Sequence, residues 1–272
     1  MESRNPVFSR TPEFSRNGYA TFDARSGQSA TAGATTTDAA SAQQLEELYA
    51  QPSAGALQTG RMTYDDVVMR TAMLFGVLLA TAAVTWFVAP ELFLVGLIGG
   101  LVLGLVNAFK KEPVPALILA YAAFQGLFLG GISRIFETQW NGIVVQAVLA
   151  TLGTFGVMLA LYKSGKIRVT PKFQRIMLIA VGGYMVFVLA NLVMIFAFGQ
   201  NLRGGVFGLL IGAVGAVLAA LMLTLDFDFI QKGVEQGIPA KFAWTAAFGL
   251  AVTLIWLYIE FLRILSILRG GD

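Results

Sequence analysis

Seven long apolar stretches follow one another along this chain, and they constrain its fold more than any other feature. A helix that crosses a membrane needs about 20 apolar residues, each contributing about 1.5 Å of length. Proline, glycine or basic residues bound the stretches, which cover residues 67–88, 93–109, 115–136, 142–162, 175–198, 205–230 and 241–268. The sequence therefore predicts an all-α polytopic membrane protein in which seven transmembrane helices contact the lipid bilayer.

The low share of charged residues supports this fold class. The residue types that are missing also exclude several kinds of functional site. Only 13% of the residues are charged, whereas soluble proteins have roughly a quarter. The chain has no cysteine and no histidine, which excludes disulfides and thiolate metal sites and leaves carboxylates and lysines as the groups able to sense pH. No nucleophile, base and orienting group converge at a recognisable spacing. We therefore expect no enzyme activity, no cofactor and no nucleic-acid partner.

Residues 1–60 differ from the rest of the chain in composition. Serine, threonine, alanine, glycine and glutamine dominate this segment. Such a segment buries too little apolar surface to offset the conformational entropy that folding removes. The sequence therefore predicts a disordered cytoplasmic tail at residues 1–60, followed by a transmembrane domain at residues 61–272.

The distribution of basic residues predicts the orientation. Five lysines and arginines lie in or beside the loop after the fourth stretch, and Lys110 and Lys111 follow the second, whereas the alternate loops contain only Arg134 and Arg203. Loops rich in lysine and arginine remain in the cytoplasm. The N-terminus is therefore predicted to be cytoplasmic, and an odd number of spans places the C-terminus outside.

The last apolar stretch is too long for one upright span. Its 28 residues, 241–268, would form a helix of about 42 Å, against a hydrocarbon core of about 30 Å. Two arrangements remain open. Either residues 241–248 lie at the interface and the chain turns inward around Gly249, or the whole stretch is one tilted helix.

Three acidic residues lie within the apolar stretches, and two of them, Asp226 and Glu260, are the strongest candidates for function. A carboxylate at membrane depth costs a few kcal/mol, so it usually faces the interior of a bundle and has a function. At about 100° per residue, Asp226 and Glu260 each share a helix face with small residues, which allow close packing. These are Gly208, Gly212, Gly215 and Ala219 for Asp226, and Ala246, Gly249 and Thr253 for Glu260. We therefore predict that both carboxylates project into the bundle and meet there.

Simpler interpretations of the same residues remain open. Asp228 lies about 200° from Asp226 on the helix, which favours a solvated charge at a helix end. Glu260 and Arg263 are three residues apart and could form an ion pair within one helix. Asp226 could instead pair with a lysine and hold helices together; the candidates are Lys110, Lys111 and Lys232.

Two motifs carry a resemblance to a known family. The sequence LDFDFI at residues 225–230, a loop with Pro239, and LYIEFLRIL at residues 257–265 resemble the Bax inhibitor family in its bacterial branch. The similarity covers about residues 67–268 and leaves the tail outside. It implies a seven-helix fold with the last helix packed centrally, located in a bacterial plasma membrane.

The resemblance also implies a function and a site. In that family an aspartate on the sixth helix and one on the seventh share a proton and gate a calcium leak, and a basic residue at the end of the second helix locks the closed form. Carried over, Asp226 and Glu260 are the pH sensor and gate. Lys110 or Lys111 is the latch, and the secondary candidates are Asp228 and Arg263.

This sequence departs from the family pattern in three respects. Glutamate replaces the second aspartate, lysine replaces the basic lock, and the segment between Asp226 and Glu260 is longer. A lysine cannot clamp a carboxylate bidentately, so a latch at Lys110 or Lys111 would be weaker than one made by arginine.

Two functions follow as hypotheses. In the first, two carboxylates in contact cannot both stay ionised in a low dielectric, so a shared proton closes a calcium leak at acidic pH. Replacing either Asp226 or Glu260 by its amide would then flatten the pH dependence. In the alternative, the protein binds and regulates a membrane-bound quality-control protease, to which the N-terminal tail is presented.

Overall fold

The computed structural model describes residues 60–199 and 204–270, which form seven long helices. All seven are long and apolar enough to cross a membrane, which confirms the predicted fold class. Their bounds are α1 Tyr64–Phe87, α2 Phe93–Phe109, α3 Pro115–Gln139, α4 Ile143–Lys163, α5 Pro171–Phe198, α6 Gly205–Glu235 and α7 Ala243–Leu268. The predicted tail, apart from its last residue, lies outside the described residues.

Local signals in the sequence set where the helices begin. Thr63 and Asp66 form a capping box at the start of α1, in which each side chain accepts a hydrogen bond from the other residue's backbone N–H. The helix α5 begins at Pro171, four residues earlier than predicted. Thr170 explains this difference, because its hydroxyl accepts a hydrogen bond from the backbone N–H of Phe173 and proline is favoured at the first helical position.

The last stretch forms a single helix, which decides between the two arrangements that the sequence left open, and the chain does not turn inward around Gly249. A short 3₁₀ turn at Ala240–Phe242 leads directly into α7, which continues without interruption to Leu268. Gly249 instead lies opposite Asp226 on α6, and a Cβ atom placed on it would lie 3.0 Å from Oδ1 of Asp226. The absence of a side chain therefore allows close contact between α6 and α7.

The helix α7 lies at the centre of the bundle. It packs against α1, α3, α4 and α6, and Leu257 and Leu262 on it are fully buried. The helix α2 packs mainly against α3, and α5 mainly against α6. The central position that the family resemblance implies for the last helix is therefore confirmed.

Glycines bring α1 and α3 into close contact. A Cβ atom on Gly126 would overlap the backbone of Leu78, and one on Gly130 would overlap the carbonyl oxygen of Ala82 and the hydroxyl of Thr85. Small residues of this kind allow membrane helices to pack backbone against backbone. These contacts fix the wall of the bundle that faces α7.

A short segment before α1 forms backbone hydrogen bonds with the loop between α6 and α7. Met62 donates its backbone N–H to the carbonyl of Ile238 at 2.8 Å, and Ala240 donates to the carbonyl of Gly60 at 2.8 Å. The Met62 side chain is only 1% exposed, and the Arg70 guanidinium donates to the carbonyl of Ala240. The start of α7 is thereby held against the start of α1.

The orientation of the termini stays a prediction, which reporter fusions test. With seven spans, a reporter at Gly165 and one at the C-terminus are expected in opposite compartments, with Gly165 in the cytoplasm because of its basic loop. An alkaline phosphatase and a fluorescent protein fusion at each position measure this. Cytoplasmic signals at both positions would contradict seven complete crossings.

Candidate functional site

The contact between α6 and α7 contains both candidate carboxylates. The two helices run antiparallel, and the small residues predicted to face inward from α6 are buried there: Gly208, Gly212, Gly215 and Ala219. Each carboxylate faces a glycine on the opposite helix. A Cβ atom on Gly249 would lie 3.0 Å from Asp226 Oδ1, and one on Gly215 would lie 3.0 Å from Glu260 Cδ. We call this contact the α6–α7 seam.

Asp226 and Glu260 lie at different levels of the seam. Gly215, which faces Glu260, precedes Asp226 on α6 by eleven residues, a rise of about 16 Å. Gly249, which faces Asp226, precedes Glu260 on α7 by the same number. The two carboxylates are therefore about three helical turns apart, and the structure does not bring them together as the predicted hydrogen-bonded pair.

The start of α7 explains this separation. Because α7 begins at Ala243, Glu260 lies 17 residues into the helix, a rise of about 26 Å. Asp226 lies nine residues before the end of α6 at Glu235, a rise of about 14 Å. Both carboxylates lie on the inward helix faces that were predicted. The prediction that they lie at the same depth was wrong.

Asp226 binds a hydroxyl on α7. The Thr253 Oγ1 hydroxyl donates a hydrogen bond to Asp226 Oδ2 at 2.7 Å. Thr253 is 4% exposed and shares the inward face of α7 with Glu260. Sequence reasoning identified Thr253 only as a packing residue. A hydroxyl on the inward face of a membrane helix can donate to a buried carboxylate, so the residue type of Thr253 could have identified it as a hydrogen-bond partner of Asp226.

Glu260 lies in a polar cluster within the membrane domain. Its Oε1 atom accepts hydrogen bonds from the Tyr184 hydroxyl at 2.7 Å and from Trp256 Nε1 at 3.3 Å. Arg263 Nη1 lies 3.7 Å from Glu260 Oε2, so the ion pair within the helix does form. Glu260 is 2% exposed. The cluster joins α5 to α7 and faces Gly215 of α6.

Sequence reasoning missed Tyr184 and Trp256. Trp256 lies four residues before Glu260, a spacing at which side chains on a helix are neighbours, so it could have been identified. Tyr184 lies on α5, 76 residues from Glu260. Only the packing of three helices brings it to the carboxylate.

Asp228 is not the solvated helix-end charge that was predicted. It is 8% exposed, and its Oδ2 atom lies 2.7 Å from Lys232 Nζ, one turn further along the helix. The helix α6 continues to Glu235, beyond the predicted end, and therefore surrounds Asp228 with packed residues. Its charge is compensated within α6, so we assign Asp228 no role in the seam.

The predicted latch does not form in this structure. Lys110 and Lys111 are exposed, directly after the end of α2. Their neighbour Glu112 pairs with Lys241 at 3.0 Å, which places this loop beside the start of α7. Asp226 lies about two and a half turns inside the end of α6, so the lysines and the aspartate are at different depths.

The residues that the structure describes contain no group of three or more acidic residues able to hold a metal ion together. Calcium takes six to eight oxygen ligands in proteins. A cation on the seam would therefore meet one carboxylate at a time, together with backbone carbonyls or water.

Comparisons with known proteins show the family to which the chain belongs. A search of curated proteins found no match. A sequence model of the family described as Bax inhibitor 1 like matches residues 5–270. The match includes most of the N-terminal tail, which the resemblance had left outside. Because it extends over nearly the whole chain, this protein belongs to the Bax inhibitor 1 like family.

Proposed function

We propose that the protein is a pH-sensitive cation leak in the membrane, in which Asp226 and Glu260 act at two levels of the α6–α7 seam. The observation that carries this proposal is the position of the two carboxylates: each faces a glycine on the opposite helix, about three turns apart. Calcium is the ion that the family resemblance implies. The proposal replaces the shared-proton pair with two separate sites in series.

The seam can act as a gate because its closure depends on close contact. Asp226 occupies the space that Gly249 leaves, and Glu260 occupies the space beside Gly215. In this proposal, the two contacts exclude water and ions from the seam while they hold. If α6 and α7 separate, the same two carboxylates line the gap and present oxygen ligands to a cation at successive depths.

The two carboxylates have different roles because their surroundings differ. Glu260 has a cationic neighbour, Arg263, and two further donors. Asp226 receives a hydrogen bond from the neutral Thr253 hydroxyl. An ionised carboxylate without a counter-charge is costly in a low dielectric. Loss of the Asp226 proton would therefore favour separation of the seam, and conduction would rise as the pH rises.

Calcium flux into vesicles tests this proposal. The full chain is reconstituted with a calcium indicator inside, and flux is measured between about pH 5 and pH 8, which brackets the range where shifted carboxylates titrate. We expect wild-type flux to increase with pH. Asp226→Asn is expected to remove most of this dependence because the amide does not titrate. Glu260→Gln is expected to lower flux while keeping a pH dependence.

The matched control is Glu112→Gln, which removes an exposed carboxylate beside the start of α7 and should leave the profile unchanged. A pH profile of Asp226→Asn equal to that of the wild type would contradict the assignment of Asp226 as the sensor. Absence of flux in the wild type at every pH would contradict the leak itself.

A second candidate function is regulation of a membrane-bound quality-control protease. The inclusion of the tail in the family match favours it, because the tail is the segment that such a protease could engage. Here we expect the protease to co-purify with the full chain and to be lost when residues 1–59 are removed. Co-purification without flux would favour this function over the leak.

A further inference from the structure

A cavity of about 660 Å³ lies between α1, α3, α4 and α7. None of its lining residues belongs to α5 or α6, so it is separate from the α6–α7 seam. Along α1 it extends from Thr71 to Phe87, a rise of about 24 Å. The hydrocarbon half of a bilayer is about 15 Å thick. The cavity is therefore long enough to hold a lipid chain over its full depth in one leaflet.

The cavity opens sideways toward the bilayer. The helix α1 packs mainly against α3 and α7, and α4 mainly against α7 and α6, which leaves a gap between α1 and α4. Apolar lining residues on both edges of this gap are exposed, among them Leu79 at 64% on α1 and Leu152 at 58% on α4. Within a membrane these edges face hydrocarbon, and a lipid can enter without crossing water.

The walls of the cavity suit an apolar occupant. The Ser133 and Tyr258 hydroxyls lie 2.6 Å apart and bond to each other, and the Thr151 hydroxyl donates to the carbonyl of Ala147 at 2.7 Å. These polar groups need no ligand. The Thr71 hydroxyl, at the far end, is buried and has no hydrogen-bond partner among the described residues.

Arg134 lies at one end of the cavity. Arg134 Nη1 donates to the carbonyl oxygen of Trp86 at 2.8 Å, and Trp86 lines the cavity. A guanidinium has five N–H donors, and within residues 60–199 and 204–270 no carboxylate forms an ion pair with this one. The nearby Glu137 instead accepts hydrogen bonds from the backbone N–H groups of Gly142 and Val144.

We propose that this cavity is a phospholipid-binding site. One acyl chain lies in the gap between α1 and α4, and the phosphate binds the free donors of Arg134. Arginine binds phosphate through a planar fork of two N–H groups. Trp86 marks the level of the headgroups, where tryptophan is enriched in membrane proteins. The site thus combines an apolar channel with the positive charge of Arg134, which lies at the depth where a phospholipid carries its negative charge.

Retention of defined lipids by the purified full chain tests this proposal. The protein is exchanged into a mild detergent with equal amounts of phosphatidylglycerol and of a diacylglycerol with the same acyl chains, and bound lipid is measured by native mass spectrometry. We expect about one phospholipid per chain, preferred about tenfold over the diacylglycerol, since a hydrogen bond to a charged group contributes roughly that factor. Arg134→Gln should remove this preference, and Ala83→Phe should reduce retention of both lipids.

Two controls separate the site from general lipid binding. Ala83 lines the cavity and is exposed, so phenylalanine there fills the cavity without displacing protein. Ala80→Phe adds the same bulk at an exposed position of α1 outside the cavity and should retain lipid like the wild type. Arg269→Gln removes an arginine whose donors bind Asn141 and Gln146, and it should keep the preference for phosphate.

Equal retention by the wild type and Ala83→Phe would overturn the proposal, as would a phosphate preference that survives Arg134→Gln. A dimer that retains no lipid and forms a disulfide between Ala83→Cys residues of two copies would also overturn it, because a second copy would then occupy the gap. Correct folding of each variant is checked by its elution as a single species in size-exclusion chromatography.

Discussion

Replacement of Gly130 by leucine is expected to destabilise the membrane domain by at least about 3 kcal/mol, the upper part of the range for overpacked cores. Even a Cβ atom at this position overlaps the carbonyl oxygen of Ala82 and the hydroxyl of Thr85. Relieving this overlap would require the backbone of α1 to move away from α3. That movement would itself break the packing contact between the two helices. The measurement is the unfolding free energy of the purified protein in mixed detergent micelles, followed by circular dichroism.

The matched control lies on the facing helix. A Cβ atom on Gly76 would meet no atom within 4 Å, so Gly76→Ala changes helix propensity without a clash. Alanine is favoured over glycine in a helix by about 1 kcal/mol, so this variant should be as stable as the wild type or slightly more stable. A Gly130→Leu variant as stable as Gly76→Ala would contradict the close contact between α1 and α3.

Replacement of Glu260 by leucine is expected to destabilise the membrane domain by about 3 kcal/mol, the lower end of the range for breaking a buried ion pair, because the Arg263 side chain left without its partner is 26% exposed. Arg263 Nη1 is buried, and Glu260 Oε2 is 3.7 Å away. Replacing both residues by leucine removes both charges, and it should recover a large part of the lost stability. The same unfolding measurement, applied to the two single variants and the double variant, gives the coupling energy of the pair.

Two further variants separate the ion pair from the hydrogen bonds around it. Glu260→Gln keeps an acceptor for the Tyr184 hydroxyl but removes the charge, and Tyr184→Phe removes the donor alone. Tyr184→Phe should cost about 1 kcal/mol, the usual net contribution of a hydrogen bond. A double Glu260→Leu and Arg263→Leu variant that is no more stable than Glu260→Leu would show that the arginine is compensated elsewhere.

The different environments of Asp226 and Glu260 connect these stability effects to function. Glu260 is held by donors from α5 and α7, so a change there should alter the stability of the domain as well as flux. Asp226 receives its hydrogen bond from Thr253, and Asp226→Asn keeps an acceptor at that position. Large changes in flux with small changes in stability are therefore expected at Asp226.

The sequence alone determined the number of helices, most of their boundaries and the faces of α6 and α7 that point inward. These features depend on local properties: the length of apolar runs, the position of proline and capping residues, and the repeat of about 3.6 residues per turn. For this reason Gly208, Gly212 and Gly215 are buried as predicted, and Glu260 and Thr253 both face α6. The motif around Asp226 and Glu260 also indicated the correct family.

The tertiary structure decided which inward-facing residues meet. The relative depth of Asp226 and Glu260 depends on where α7 begins, and hydrogen bonds between residues 60–62 and the loop before α7 hold that start. Contacts between residues far apart in the chain, such as Tyr184 with Glu260 and Arg134 with Trp86, leave no periodic signal in the sequence. Helix periodicity fixes the direction of a side chain around its own axis, but the position of one helix along another depends on the packing of the whole bundle.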